Sequence, residues 1–267
     1  MSLNNFLSAF YPSETENIWL LGFSPKDMPE EIKRHPYKRC TTRKELSDNK
    51  VLQGELKQIN EEQGLYFCVN AGGTEKKDIQ RINAVFCEKD DTSIEQQHDL
   101  FDNCPLPPSI RVETKKSVHA YWLLNEVITI PSFSKIQNGL IEYFLADNHI
   151  KNENRVMRLP YFHHVSFSEG ELMYKRINIH TFNSDIKFSL KELTETFPYT
   201  PPPMPVYSPN RASDDWQKVF TDLRFRISQL PTYKIERNRQ WATAKGVCHN
   251  GKNNSALQVN LISGAVV

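Results

Sequence analysis

Ala84-Val85-Phe86-Cys87-Glu88-Lys89-Asp90-Asp91 reads as an apolar strand that delivers acidic side chains at its end. Side chains alternate along a strand, so Glu88 and Asp90 share a face, while Asp91 points away if the strand continues. Two carboxylates one strand-step apart suit a hard divalent cation, which takes oxygen ligands. Read alone, the same pattern also describes a solvated acidic turn. A second signal follows in Pro107 to Trp122. Ser109–Thr114 and His119–Leu124 read as strands joined by the polar turn Thr114-Lys115-Lys116-Ser117, and His119 lies on the face of Ser117. A hydroxyl, two ammonium groups and an imidazole gathered there make a phosphate grip. A hairpin with an exposed basic turn and a core-facing histidine fits equally. The third signal is Asp147 to Pro160, where an acid follows a helix and Arg155 and Arg158 lead into a short apolar segment. Each arginine could pair a phosphate or satisfy a buried carboxylate.

Working outward, Ile18–Phe23, Leu65–Asn70 and Ile82–Glu88 also read as strands, rich in Val, Ile, Phe and Tyr. Helical stretches lie between them. One opens on a capping box at Thr92-Ser93-Ile94-Glu95, and another runs from about Pro131 to Ala146 with Ile136, Leu140, Tyr143 and Phe144 on one side. Irregularly spaced strands with few two-residue turns predict an α+β domain, a mostly antiparallel sheet backed by helices. Pro201-Pro202-Pro203-Met204-Pro205 must run extended, which divides the chain into a domain over 1–200, a linker over 201–212 and a tail over 213–267. In that tail Ser213 caps a helix whose apolar face runs from Trp216 to Leu230 and which Pro231 ends.

No run of eighteen apolar residues occurs, so no membrane span is expected. Five cysteines, without close pairing, argue against a disulfide framework and for a reducing, cytoplasmic setting. Cys68 and Cys87 fall in core strands, where a thiol packs as a small hydrophobe. A net charge of +1 decides nothing about nucleic acid, because binding depends on local patches. The basic run Lys33, Arg34, His35, Lys38, Arg39, Arg43 and Lys44 is such a patch, or else a solvated face.

Taken in order, the three signals resemble the archaeo-eukaryotic primase superfamily, and within it the plasmid, phage and CRISPR-associated primase-polymerases. Glu88 and Asp90 match its acid-x-acid strand end, Ser117 and His119 its Ser-x-His hairpin. Asp147, Arg155, Arg158, Leu159 and Pro160 match its D-P-x-x-x-D-x-x-R-x-x-R-L-P-G pattern in spacing. The match spans roughly Leu65 to His164. Glu88 stands where many relatives have Asp, Asn148 where a proline is usual, and Tyr161 where a glycine follows Arg-Leu-Pro. That last change implies a different turn after Pro160.

The resemblance implies an RRM-like catalytic sheet with helices, plus an amino-terminal α/β subdomain. It implies a nucleotidyltransferase in which Glu88, Asp90 and Asp147 hold two Mg²⁺ or Mn²⁺ ions. Lys116, Ser117, His119 and Arg158 would bind the nucleotide. Partners would be a single-stranded DNA template, a primer strand, an NTP or dNTP, and other replication or CRISPR proteins. Besides Arg158 and the Lys115-Lys116 turn, Lys151, Arg155 and the Lys33 to Lys44 run are candidates for a second, initiating nucleotide. The tail from Gly246 to Val259 is similar to the first half of a small zinc motif. Cys248 and His249 supply at most two of four ligands, so zinc is expected only in a longer chain with the rest beyond Val267. Two rival readings stay open: a non-catalytic nucleic-acid-binding module that keeps the fold, and a metal-dependent phosphodiesterase.

Overall fold

The computed structural model describes residues 2–201 and the short segments 234–235, 241–244 and 257–260. Helix α1 (Leu3–Phe10) starts where the Ser2 hydroxyl accepts from Asn5 N, and it buries Phe6, Leu7 and Phe10. Strand β1 (Ile18–Phe23), β2 (Tyr37–Thr41), helices α2 (Arg43–Asp48) and α3 (Lys50–Ile59), and β3 (Gly64–Cys68) follow. Thr42 and Asn49 cap the two helices. Then come β4 (Ala84–Lys89), α4 (Ile94–Asp102), β5 (Ile110–Glu113), β6 (Val118–Leu123) and α5 (Ile130–Phe144). The chain continues through β7 (Val156–Arg158), β8 (His163–Ser168), β9 (Glu171–Arg176), β10 (Asn178–Phe182) and α6 (Leu190–Thr196).

Two four-stranded antiparallel sheets result, ordered β2-β1-β3-β7 and β10-β5-β6-β4, with β8 and β9 as a separate hairpin. The domain is α+β, as the pattern of strands and helices predicts. Alternation along β6 explains its complete burial. Tyr121 meets Phe6, Phe10 and Phe67 on one side, joining the two sheets. Trp122, on the other side, meets Phe101, Phe144 and Phe197 of the helical layer. Such aromatic pairs at 5–7 Å add about 0.5–1.5 kcal/mol each beyond their area.

β4 lies at the end of its sheet, yet several of its outward backbone groups find partners elsewhere. Gln137 of α5 is fully buried, and its amide donates to Phe86 O at 2.6 Å while its carbonyl accepts from Phe86 N at 3.2 Å. Ala84 N donates to the Asn70 side chain, and Asp147 N to Glu88 O.

Two expectations are corrected here. The capping box of α4 is Ser93 with Gln96, one residue on from Thr92 and Glu95, because the Ser93 hydroxyl faces Gln96 N and the Gln96 side chain returns to Ser93 N. Tyr161 does not force a different turn: its φ is 71°, the left-handed conformation a glycine would take there. Cys68 and Cys87 are buried and unpaired, and burial raises both thiols, Cys68 to about 12.

Residues 202–267 form a second compact unit, in which β11 (Lys234–Ile235), β12 (Trp241–Ala244) and β13 (Leu257–Asn260) build an antiparallel sheet. The proline-rich linker beyond Pro201, the helix after Ser213 and the Cys248-His249 pair lie outside the described residues. Among the described residues no helix is long and apolar enough to cross a membrane.

Candidate functional site

Register brings three of the expected residues together. Glu88 lies directly opposite His119 in the β4–β6 pair, and Ser117, two residues earlier, falls on the same face. Ser117 Oγ donates to Glu88 Oε1 at 3.1 Å, and His119 Nε2 lies 3.5 Å from the same oxygen. Arg155 Nη2 approaches Glu88 Oε2 at 3.6 Å. Burial is the largest single influence on the Glu88 carboxyl and pushes it up. His119, Arg155 and the Ser117 hydroxyl together outweigh it and hold the group down at about 2.

The turn that presents Ser117 is braced from behind. Thr114 N donates to Ser117 O, and the Thr114 hydroxyl lies 3.0 Å from Ser117 Oγ. Buried Gln97 of α4 donates to Lys116 O and accepts from Val118 N at 2.7 Å. Lys116 itself is exposed, and its charge lowers the neighbouring Asp90 carboxyl against the larger raising influences. Lys115 Nζ donates to Ser166 Oγ of β8 at 2.8 Å.

Asp90 and Asp147 complete the acidic group. Partial burial, then Glu88, Asp147 and Asp91, raise the Asp90 carboxyl. Asp147 follows α5, whose last turn closes on Leu145 in the left-handed conformation, and its Oδ1 accepts from His149 N at 2.8 Å. Asp91 turns to Lys89, which also donates to Leu145 O. In chemistry the three carboxylates fit a hard divalent ion, since like charges close enough to raise Asp90 are what such an ion would relieve. In position they are not yet a cage: among the described residues no three His, Cys, Asp or Glu side chains converge on one metal position.

Arg158 keeps other company. It pairs across β3–β7 with Tyr66, its guanidinium lies 4.8 Å from that ring's centre, and Nη2 lies 3.0 Å from His164 Nε2. Burial lowers its proton affinity, the nearby Tyr66 and Glu88 opposing. Its Nη1 is buried without a partner, as are Arg155 Nε and His119 Nδ1. Donors outnumber acceptors here, which suits an anionic ligand.

Sequence reasoning missed Tyr66, Gln97 and His164. Gln97 and Tyr66 act through strand and helix pairings that no local pattern reveals. His164 could have been noticed as an imidazole six residues after Arg158. Most of the Lys33 to Lys44 run is already engaged within the fold. Lys33 pairs with Glu30, Arg34 with Glu62, and Arg39 with Glu45 and Glu55. Arg43 is buried against the carbonyls of Tyr11 and Pro12, and Lys38 rests on the Trp19 ring and Thr74.

No protein-family model and no curated protein matches the sequence. Solved structures do match. The AEP domain of the primase-polymerase of cyanophage S-2L is 23% identical over 73% of this chain and 96% of that one, with a TM-score of 0.57. The primase RepB′ is 12% identical over 85% of this chain and 66% of that one, with a TM-score of 0.50. Both are structures of primases, and the likeness extends to this chain's fold.

Proposed function

We propose that residues 1–201 are a primase-polymerase catalytic domain, which transfers nucleotides from NTPs or dNTPs along a single-stranded DNA template and can start a strand without a primer. One observation carries the reading: Glu88, Ser117 and His119 meet on one sheet face, with Asp90 and Asp147 at its rim and unpartnered Arg155 Nε and Arg158 Nη1 alongside. Glu88, Asp90 and Asp147 would hold Mg²⁺ or Mn²⁺, and metal bound there supplies a lowered pKa for a primer 3′-hydroxyl and charge against the α-phosphate.

The chain's own residues do the rest. Ser117, His119 and Arg155 keep Glu88 ionised across the neutral range, so it enters as a carboxylate with no proton to lose. Arg158 and Lys116 supply positive charge for the triphosphate and for the charge that develops on departing pyrophosphate. Because Arg155 faces Glu88 and Lys33, Arg34, Arg39 and Arg43 already pair with carboxylates, Lys115 and Lys151 remain as cations for an initiating nucleotide. A second reading has one observation in its favour. Both Glu88 oxygens already have partners, as they would in a binding module that kept the fold without the chemistry.

The deciding experiment is a reaction with single-stranded DNA, Mn²⁺ and nucleotides but no primer, resolved on a sequencing gel with Asp90→Ala as control. Short products that vanish in the control are expected. Extension of an annealed primer alone would leave a polymerase, and no product despite retained DNA binding would favour the binding module.

A further inference from the structure

We infer that His164 is a positioning residue for Arg158: its imidazole, together with the missing side chain at Gly64, aims the guanidinium at the nucleotide's phosphates. The inference rests on the nucleotide-binding role proposed for Arg158 and goes beyond it by naming what fixes that side chain.

The geometry is a three-sided clamp. Tyr66 covers the guanidinium face at 4.8 Å from ring centre to Cζ. His164 Nε2 receives Nη2 at 3.0 Å. The third side is Gly64, where a Cβ would lie 2.6 Å from Nη1, so only glycine leaves the guanidinium its position. An arginine can only donate, so Nε2 is the acceptor and the ring is neutral. That state is secure, because burial, then Arg158 and Lys115, hold the imidazolium form off until about pH 3. The ring is fixed in turn from β8. On the ring's other side Nδ1 lies 3.5 Å from Lys115 N, and Ser166, on the same face of β8, takes the Lys115 ammonium. His164 thus links the arginine to the turn that bears Lys116 and Ser117, and the two cationic segments keep a set spacing. A planar guanidinium recognises phosphate by direction as well as charge, so holding that direction saves ordering cost at binding.

The test is calorimetric titration of the full chain with dATP and Mg²⁺, using Arg158→Ala, His164→Ala, His164→Gln, the Arg158→Ala/His164→Ala double variant and Gly64→Ala. Arg158→Ala and His164→Ala should each weaken binding about tenfold, the worth of one charge-assisted contact. His164→Gln keeps an acceptor at the reach of Nε2 and should recover most of that loss. The double variant should bind no worse than Arg158→Ala, since His164 acts only through the arginine. Gly64→Ala displaces the guanidinium while meeting Tyr66 only at ordinary contact distance, and should reproduce the loss, which tests the aim of Arg158 even if His164→Ala fails to melt cooperatively. Wild-type affinity in His164→Ala or Gly64→Ala, or additive losses in the double variant, would overturn the positioning role while leaving the Arg158 site standing. Wild-type affinity in Arg158→Ala would overturn both.

Discussion

Replacing Glu88 by glutamine removes one charge and keeps a carbonyl that Ser117 can still donate to. In the folded chain the Glu88 side chain is about one-fifth exposed and is held at about 2, against an ordinary 4.5, by its cationic and hydroxyl neighbours. That preference for the charged form corresponds to roughly 3 kcal/mol of stability. Its sign follows from the depressed value. The contribution is fully present above pH 4.5, where the unfolded chain is also ionised, and is lost as the pH falls towards 2. Urea unfolding of Glu88→Gln and wild type should therefore differ by roughly 3 kcal/mol at pH 7 and converge towards pH 2, at unchanged m-value. A constant difference across that range would mean the loss comes from packing and not from charge. A more stable Glu88→Gln at pH 7 would mean that repulsion from Asp90 and Asp147 outweighs Ser117, His119 and Arg155, and the assignment of Glu88's partners would fall.

Asp90 should behave in the opposite sense: its raised carboxyl means the fold resists its ionisation, so Asp90→Asn should unfold at slightly higher urea than wild type at pH 7 without metal. In synthesis assays Asp90→Ala and Asp147→Ala should lose activity while Asp91→Ala, which gives up only its Lys89 contact, stays near wild type. At position 161, Tyr161→Gly should be more stable than Tyr161→Ala by about 1–2 kcal/mol, because alanine keeps the left-handed penalty while both lose the ring; equal melting temperatures would sink the reasoning. Gln137→Leu should cost about 2–4 kcal/mol by thermal unfolding, since it strands two buried backbone groups of Phe86.

What the sequence disclosed follows the range of the interactions involved. β1 was legible from end to end, and the Thr114 to Ser117 turn fell between its two strands, because alternation and turn chemistry are local. The company of Ser117 and His119 needed only period-two reasoning, and Glu88 joined them through a pairing that a hairpin-rich chain could supply. The rest depends on distant segments. Arg155 and Arg158 reach the site because β7 pairs with β3, some ninety residues earlier in the chain, and His164 because the β8–β9 hairpin folds against the 114–117 turn. The basic run is largely engaged for the same reason: Glu62, Glu55 and Glu14, which pair with its arginines, come from elsewhere in the sequence. Tyr161 failed differently, because residue preference at a left-handed position is a cost and not a prohibition.

The glutamine that completes β4 has a consequence for the life of the chain outside the native state. A bare outer strand of sequence Ala-Val-Phe-Cys is a template on which a second molecule can lay its own strand. Gln137 imitates that neighbour with a single side-chain amide, so in the native protein the middle of the strand is already occupied. The shield arrives only with α5, whose residues emerge from the ribosome some forty positions after the strand they cover. During that interval, and in any variant at position 137, self-association through β4 is the hazard to watch, and it would bury the strand that carries Glu88.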